Sequence, residues 1–136
     1  MSLLEALALA VVVLAGGYLL ALGAASLFVP ARASRFLLGF ASSASVHFME
    51  LFLRLAVGAA LVIYAPRMSL SSAFNLFGWV LLVTTACLLI VPWRWHHRFA
   101  QQVVPLFTRY IALIGLVSLA IGGLILWAVV ARGSAA

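Results

Sequence analysis

Charged residues are scarce in this chain, and both lysine and aspartate are absent. Only 7% of its 136 residues are charged, whereas a soluble domain carries about 25%. Eight arginines, two glutamates and three histidines cannot build a water-facing surface at this length. The only cysteine is Cys87, so an internal disulfide and a cysteine metal cluster are excluded. A soluble enzyme or a disulfide-stabilised secreted domain is therefore ruled out.

Apolar residues make up most of the sequence. They account for 68% of the chain, and the mean hydropathy is +1.30. Four apolar runs lie at about 3–29, 46–64, 73–91 and 106–131, each near or above the roughly 20 residues that a spanning helix needs. Proline follows each of the first three runs closely and opens the fourth. The sequence predicts an all-α integral membrane four-helix bundle, forming a single transmembrane domain over 1–136.

Arginine alone supplies the net charge of +6, and its distribution predicts an orientation. The side reached by the first and third connections is strongly basic, while the opposite side carries one acid and fewer arginines. Because short arginine-rich loops stay in the cytoplasm, we expect both termini to lie outside. Glu5 stands where a signal peptide would carry basic residues, so we expect the first helix to be retained. A strongly basic chain this apolar indicates contact with anionic lipid rather than nucleic acid.

The third connection, over 92–104, has the pattern of a short amphipathic helix lying along the membrane. Trp95 and Phe99 share one side, while Arg94 and Arg98 share the other. We predict that anionic phospholipid headgroups bind a set of interfacial side chains: Arg32, Arg35, Arg94, Trp95 and Arg98. General phospholipid contact is the simpler alternative to a selective lipid site.

An internal repeat links the two basic connections. Val29-Pro30-Ala31-Arg32 at the end of the first run matches Val91-Pro92-Trp93-Arg94 at the end of the third, and each continues to an Arg-Phe pair. Two tandem helical hairpins, related by an axis along the membrane normal, would explain this pattern. The alternative is that such patterns recur at any inner membrane interface.

These residues carry a resemblance over Leu7–Phe36 and Arg54–Tyr64, and again, loosely, over the second half. There the chain resembles a family of short two-helix bacterial inner-membrane proteins of unknown function, here as two tandem copies. The segment between Phe36 and Arg54 is longer than that family has. The resemblance implies a bacterial inner membrane and no activity.

The second run holds an acid and an arginine at membrane depth. Arg54 and Arg67 enclose twelve uncharged residues, so the run reaches about 20 residues only by including Arg54 and, with it, Glu50. On a helix, His47, Glu50 and Arg54 fall within an arc of about 60°. Glu50 and Arg54 have the favourable i, i+4 order, and Arg109 is a second candidate partner. These four form the predicted intramembrane polar site, either a proton, ion or headgroup site or a structural ion pair.

Histidine supplies a weaker hypothesis. His47, His96 and His97 should all lie near the basic side, which invites a haem or metal interpretation. Adjacent histidines on a helix point about 100° apart, so at most one could serve. The pair of His-carboxylate motifs that a di-metal bundle needs is missing. We therefore predict no cofactor and no metal, and expect interfacial histidines.

Small residues predict packing faces on the first and fourth helices. We expect one face at Ala6, Ala10, Gly17, Ala21 and Ala24, and another at Gly115, Ser118 and Gly122. Each face could pack within the molecule or against another subunit.

Little catalytic chemistry is available, so we expect no enzyme and no catalytic residues. The sequence favours a small accessory or assembly subunit of a larger inner-membrane complex, partnered by lipid and by other subunits or copies of itself. The alternative is a small oligomeric transporter or channel using Glu50. A haem-bearing redox subunit is the third hypothesis.

Overall fold

Helices make up nearly all of the described chain. The computed structural model describes residues 1–39, 44–91, 94–95, 98–99, 102 and 109–135, with the backbone alone at 37–39, 44 and 132–135. The elements are α1 (Leu3–Phe28), α2 (Pro30–Gly39), α3 (Ala44–Tyr64), a 3₁₀ turn (Ala65–Arg67), α4 (Ser71–Ile90) and α5 (Ile111–Ala135).

Four of these helices are long and apolar enough to cross a membrane, namely α1, α3, α4 and α5. The prediction of an all-α four-helix bundle is confirmed, and the chain is a multi-pass membrane protein. The predicted runs match the first three spanning helices to within two residues at each end. Residues 106–108, where the fourth run was predicted to begin, lie outside the described residues.

The spanning helices run alternately up and down, which gives the molecule two different ends. At the terminal end, α1 begins with a capping box in which the Ser2 hydroxyl accepts from the Glu5 N–H and the Glu5 carboxylate accepts from Ser2. The turn between α3 and α4 lies beside them, and the Ser69 N–H donates to the Ala128 carbonyl of α5 at 3.0 Å. At the basic end, α2 follows α1 and carries Arg32 and Arg35.

Glycines set the closest helix contacts. A Cβ added to Gly23 of α1 would lie 2.8 Å from the Gly115 carbonyl oxygen of α5, and one added to Gly122 would lie 2.8 Å from that of Gly16. The same holds for α3 and α4, where a Cβ on Gly78 would lie 2.9 Å from the Gly58 carbonyl oxygen. Only glycine allows backbones to approach this closely, as membrane helix pairs require.

The helices pack in the order α5, α1, α3, α4. The large interfaces are α1 with α5, α3 with α4, and α1 with α3, whereas α4 and α5 have no extensive contact among the described residues. The predicted tandem hairpins would pair α4 with α5 as closely as α1 with α3. The packing therefore does not follow the sequence repeat.

The small-residue face predicted for α5 packs within the molecule, whereas most of the face predicted for α1 does not. Gly115, Ser118 and Gly122 are buried on α5. On α1 the buried residues are instead Ala8, Val12, Gly16, Gly23 and Ser26, and nothing lies within 4 Å of a Cβ on Gly17. The predicted stripe is rotated away from the intramolecular contact, because small residues occur on both sides of this helix.

The apolar core lies at the terminal end. It contains Ala8 and Val12 of α1 and Leu61 and Tyr64 of α3, together with buried residues of the turn, α4 and α5. Tyr64 is buried in this cluster. The apolar core therefore lies at the terminal end of the bundle, and the polar residues of α3 lie at the basic end.

Candidate functional site at the basic end

The predicted polar stripe of α3 lies on the buried side of that helix. His47, Leu51 and Gly58 are all buried, and Arg54 lies about 20° from His47 on the helical wheel, between His47 and Glu50. Phe48 and Phe52 occupy the opposite side and are exposed, as an outward aromatic face requires. The three predicted site residues of this helix are therefore brought together on one face.

Glu50 and Arg54 form an ion pair that is partly exposed. The Arg54 Nη1 atom lies 3.7 Å from the Glu50 Oε1 atom, and each side chain is 34% exposed. This separation is too long for a hydrogen bond. Within the described chain, the Arg54 Nε atom is buried and has no hydrogen-bond partner. The pair therefore keeps hydrogen-bonding capacity that the rest of the described protein does not fill.

The depth of this pair follows from helix geometry. Arg54 precedes Arg67 by thirteen residues, about 20 Å of helix, and Glu50 precedes it by seventeen, about 26 Å. A hydrocarbon core is about 30 Å thick, so with Arg67 at one boundary both residues lie inside the other boundary. Side chains lean toward the helix N-terminus, which for α3 is the basic end. The two charges consequently approach the headgroup region from within the bilayer.

One aromatic residue near the pair, Tyr18, had not been singled out in the sequence. Tyr18 of α1 lies within electrostatic range of Glu50, and its ring centroid is 6.4 Å from that of Phe36 on α2. For this contact α2 has to fold back along α1 rather than extend away from it. The helix reversal after Val29 brings the two rings together, and no local sequence pattern indicates that reversal.

Arg109, the fourth predicted member of the site, does not join it. Its guanidinium lies 5.8 Å from the ring centroid of Tyr110, and it is exposed. The ion pairs among the described residues are Glu50 with Arg54 and Glu5 with Arg67. The second of these, between the start of α1 and the turn after α3, was not predicted, although both residues had been assigned to the same side of the membrane.

The predicted headgroup-binding side chains are exposed where they are described. Arg32 and Arg35 extend from α2, and Arg94, Trp95 and Arg98 stand on described positions of the third connection. The Arg35 Nε atom donates to the Ala31 carbonyl, which keeps that side chain along its helix. Most of the interfacial segment 92–104 lies outside the described residues, including the rest of its proposed apolar side.

Of the three histidines in the haem or metal hypothesis, His47 lies in the described part of the chain. His47 is buried on α3, with its ring centroid 5.3 Å from that of Phe48. His96 and His97 lie outside the described residues. Among the residues that are described, no group of three His, Cys, Asp or Glu side chains is placed to hold a metal ion.

No protein-family model, curated protein or solved structure matches this chain. The roles proposed below for the residues of the basic end therefore come from their geometry and chemistry alone.

Proposed function

We propose that this protein is a small accessory or assembly subunit of a larger complex in the bacterial inner membrane. In this proposal both termini lie outside and the basic end contacts anionic lipid in the cytoplasmic leaflet. The chain has no enzymatic activity of its own. Its partners are other membrane subunits, which it meets through exposed helix faces.

The peripheral position of α4 is the observation that carries the proposal. Only 17% of the residues in its most apolar 18-residue stretch are buried, and among the described residues its extensive contacts are with α3 and the turn before it. Its large side chains point outward, among them Leu76, Phe77 and Trp79. Because lipid tails are as apolar as these side chains, packing rather than hydrophobicity decides what covers them. Among the described helices α4 packs extensively on α3 alone, which leaves the free surface that a partner helix would use.

The apolar core argues against transport through one molecule. Any path from the polar site toward the terminal end would cross the cluster around Val12, Leu61 and Tyr64, which is closely packed. Thr84 and Thr85 of α4 donate their hydroxyls to backbone carbonyls one turn earlier, so they offer little to a passing ion. A transporter would therefore have to be built between subunits.

Cys87 provides a direct test of the subunit proposal, since it is exposed on α4. A cysteine-reactive photocross-linker placed there in native membranes should capture one protein at constant stoichiometry. The control carries Cys87→Ala with Leu14→Cys, which moves the probe to an exposed site on α1. Gentle solubilisation and native mass spectrometry should show the same partner bound. A chain that is always monomeric, with no protein adduct from either position, contradicts the proposal.

The transporter alternative rests on the partly exposed Glu50–Arg54 pair. It predicts flux in proteoliposomes that Glu50→Gln abolishes and Glu5→Gln preserves. Flux that is unchanged by Glu50→Gln removes Glu50 from any such pathway.

A further inference from the structure

The Glu50–Arg54 pair has the chemistry of a receptor for a dipolar group. It offers a guanidinium with five N–H donors and a carboxylate that accepts. The two groups lie 3.7 Å apart, and within the described chain the Arg54 Nε atom has no hydrogen-bond partner. Its net charge is zero, so a purely anionic ligand would be drawn to Arg54 and repelled by Glu50. A ligand carrying one charge of each sign would satisfy both.

The pair is also reachable from the lipid. Glu50 stands at the edge of the buried face of α3, and Leu53 and Met49, about 60° and 100° further around the helix, are exposed apolar residues. An acyl chain lying on these side chains would bring its headgroup to Glu50. The occupant suggested by this arrangement is therefore an amphiphile rather than a free solute.

The order of the charges along α3 matches that of a phospholipid. The Cα atom of Arg54 lies about 6 Å closer to the membrane centre than that of Glu50, although the charged groups themselves are only 3.7 Å apart. In a zwitterionic phospholipid the phosphate is attached to the glycerol, and the amine extends from it toward water. Phosphate on Arg54 and ammonium on Glu50 then reproduce this polarity, with the headgroup entering from the basic end.

We propose that Glu50 and Arg54 form a binding site for a zwitterionic phospholipid with a primary amine, of the phosphatidylethanolamine class. Arg54 binds the phosphate through charge-assisted hydrogen bonds. Glu50 accepts hydrogen bonds from the ammonium group, which the methylated amine of phosphatidylcholine cannot donate. This site is distinct from the exposed arginines of the basic end and does not depend on the proposed subunit role.

Lipid binding by the purified, delipidated protein tests the proposal. Phosphatidylethanolamine, phosphatidylcholine and phosphatidylglycerol with identical acyl chains are titrated separately and bound lipid is counted by native mass spectrometry. The wild-type protein should bind phosphatidylethanolamine about tenfold or more tightly than phosphatidylcholine, the difference expected for hydrogen bonds to a charged group. Glu50→Gln should remove that preference, and Arg54→Gln should weaken binding of both lipids.

The matched control is Glu5→Gln, the same substitution in the other ion pair at the far end of the bundle. It should leave the lipid preference intact, and circular dichroism should show all variants to be equally helical. Equal affinity of the wild-type protein for the two zwitterionic lipids overturns the proposal. This result is measured on the wild-type protein alone, so it does not depend on whether a variant folds. A preference that survives Glu50→Gln or disappears in Glu5→Gln also overturns the proposal.

A partner protein is the competing occupant of this face. A photocross-linker on Leu53→Cys, in a Cys87→Ala background, distinguishes the two in native membranes. Lipid adducts that phosphatidylethanolamine depletion removes support the proposal. Protein adducts that persist after that depletion overturn it.

Discussion

At the scale of single residues, the position of the polar site could be predicted and its surroundings could not. A membrane of fixed thickness forces Glu50 and Arg54 into the span, and helical periodicity places them with His47 on one face. The neighbours of the pair depend on how other helices approach. Tyr18 was therefore missed, and Arg109 was wrongly offered as a partner, because neither contact follows from spacing along the chain.

The ion pair makes a prediction about stability. Glu50→Ala should lower the free energy of unfolding in detergent by about 1–3 kcal/mol, less than for a sealed pair because each partner is one-third exposed. Replacing Glu50 and Arg54 together with leucine should cost less, since no unpaired charge is left behind. Unfolding by a denaturing detergent, followed by circular dichroism, measures both. A single mutant as stable as the double mutant, or more so, means that the pair is effectively solvated.

The backbone conformation of Leu70 allows a second prediction at the scale of single residues. It is the one described residue other than glycine with a positive φ, 57°, and it is exposed at the start of α4. A left-handed conformation costs a leucine about 1–2 kcal/mol, which glycine avoids. Leu70→Gly should therefore stabilise the protein by about 0.5–1 kcal/mol in the same unfolding assay. Leu76→Gly, on an exposed helical position of α4, should destabilise it by a similar amount.

At the scale of elements, helix existence was predictable and helix partnership was not. Apolar runs of membrane length bounded by prolines leave little choice of structure, which explains the close match of the spans. Which face of α1 packs is a different matter, because Gly16 and Gly17 are adjacent and point in different directions. The deciding clue is a shared spacing: Gly16 and Gly23 lie seven residues apart, as do Gly115 and Gly122. In two antiparallel helices this equal spacing lets Gly16 face Gly122 while Gly23 faces Gly115.

Neighbouring glycines of α5 provide a matched test of that register. Gly122→Ala should destabilise the bundle by about 1–3 kcal/mol, because its Cβ would lie 2.8 Å from the Gly16 carbonyl oxygen. Gly123→Ala meets nothing within 4 Å and should stabilise the helix by up to about 1 kcal/mol. Denaturing-detergent titration of both variants checks the prediction. Equal effects of the two substitutions would mean that α1 and α5 are not in close contact there.

At the scale of the whole molecule, orientation in the membrane is the prediction most open to test. The arginines of the two connections should hold the basic end in the cytoplasm. In a Cys87→Ala background, Ala135→Cys should react with an impermeant thiol reagent added from outside, and Ser34→Cys only after the membrane is opened. Labelling of position 135 exclusively from the cytoplasm reverses the orientation.

The pairing of the first helix with the last has a consequence for biosynthesis. The ribosome releases α1 long before α5, yet the glycines of α1 at Gly16 and Gly23 find their main partner only in α5. During translation α1 therefore stays in the bilayer with its glycine face, at Gly16 and Gly23, uncovered until α5 has been synthesised. A ribosome stalled before α5 would therefore expose a helix prone to associate with the wrong neighbour, which makes the unfinished chain a natural target for membrane quality control.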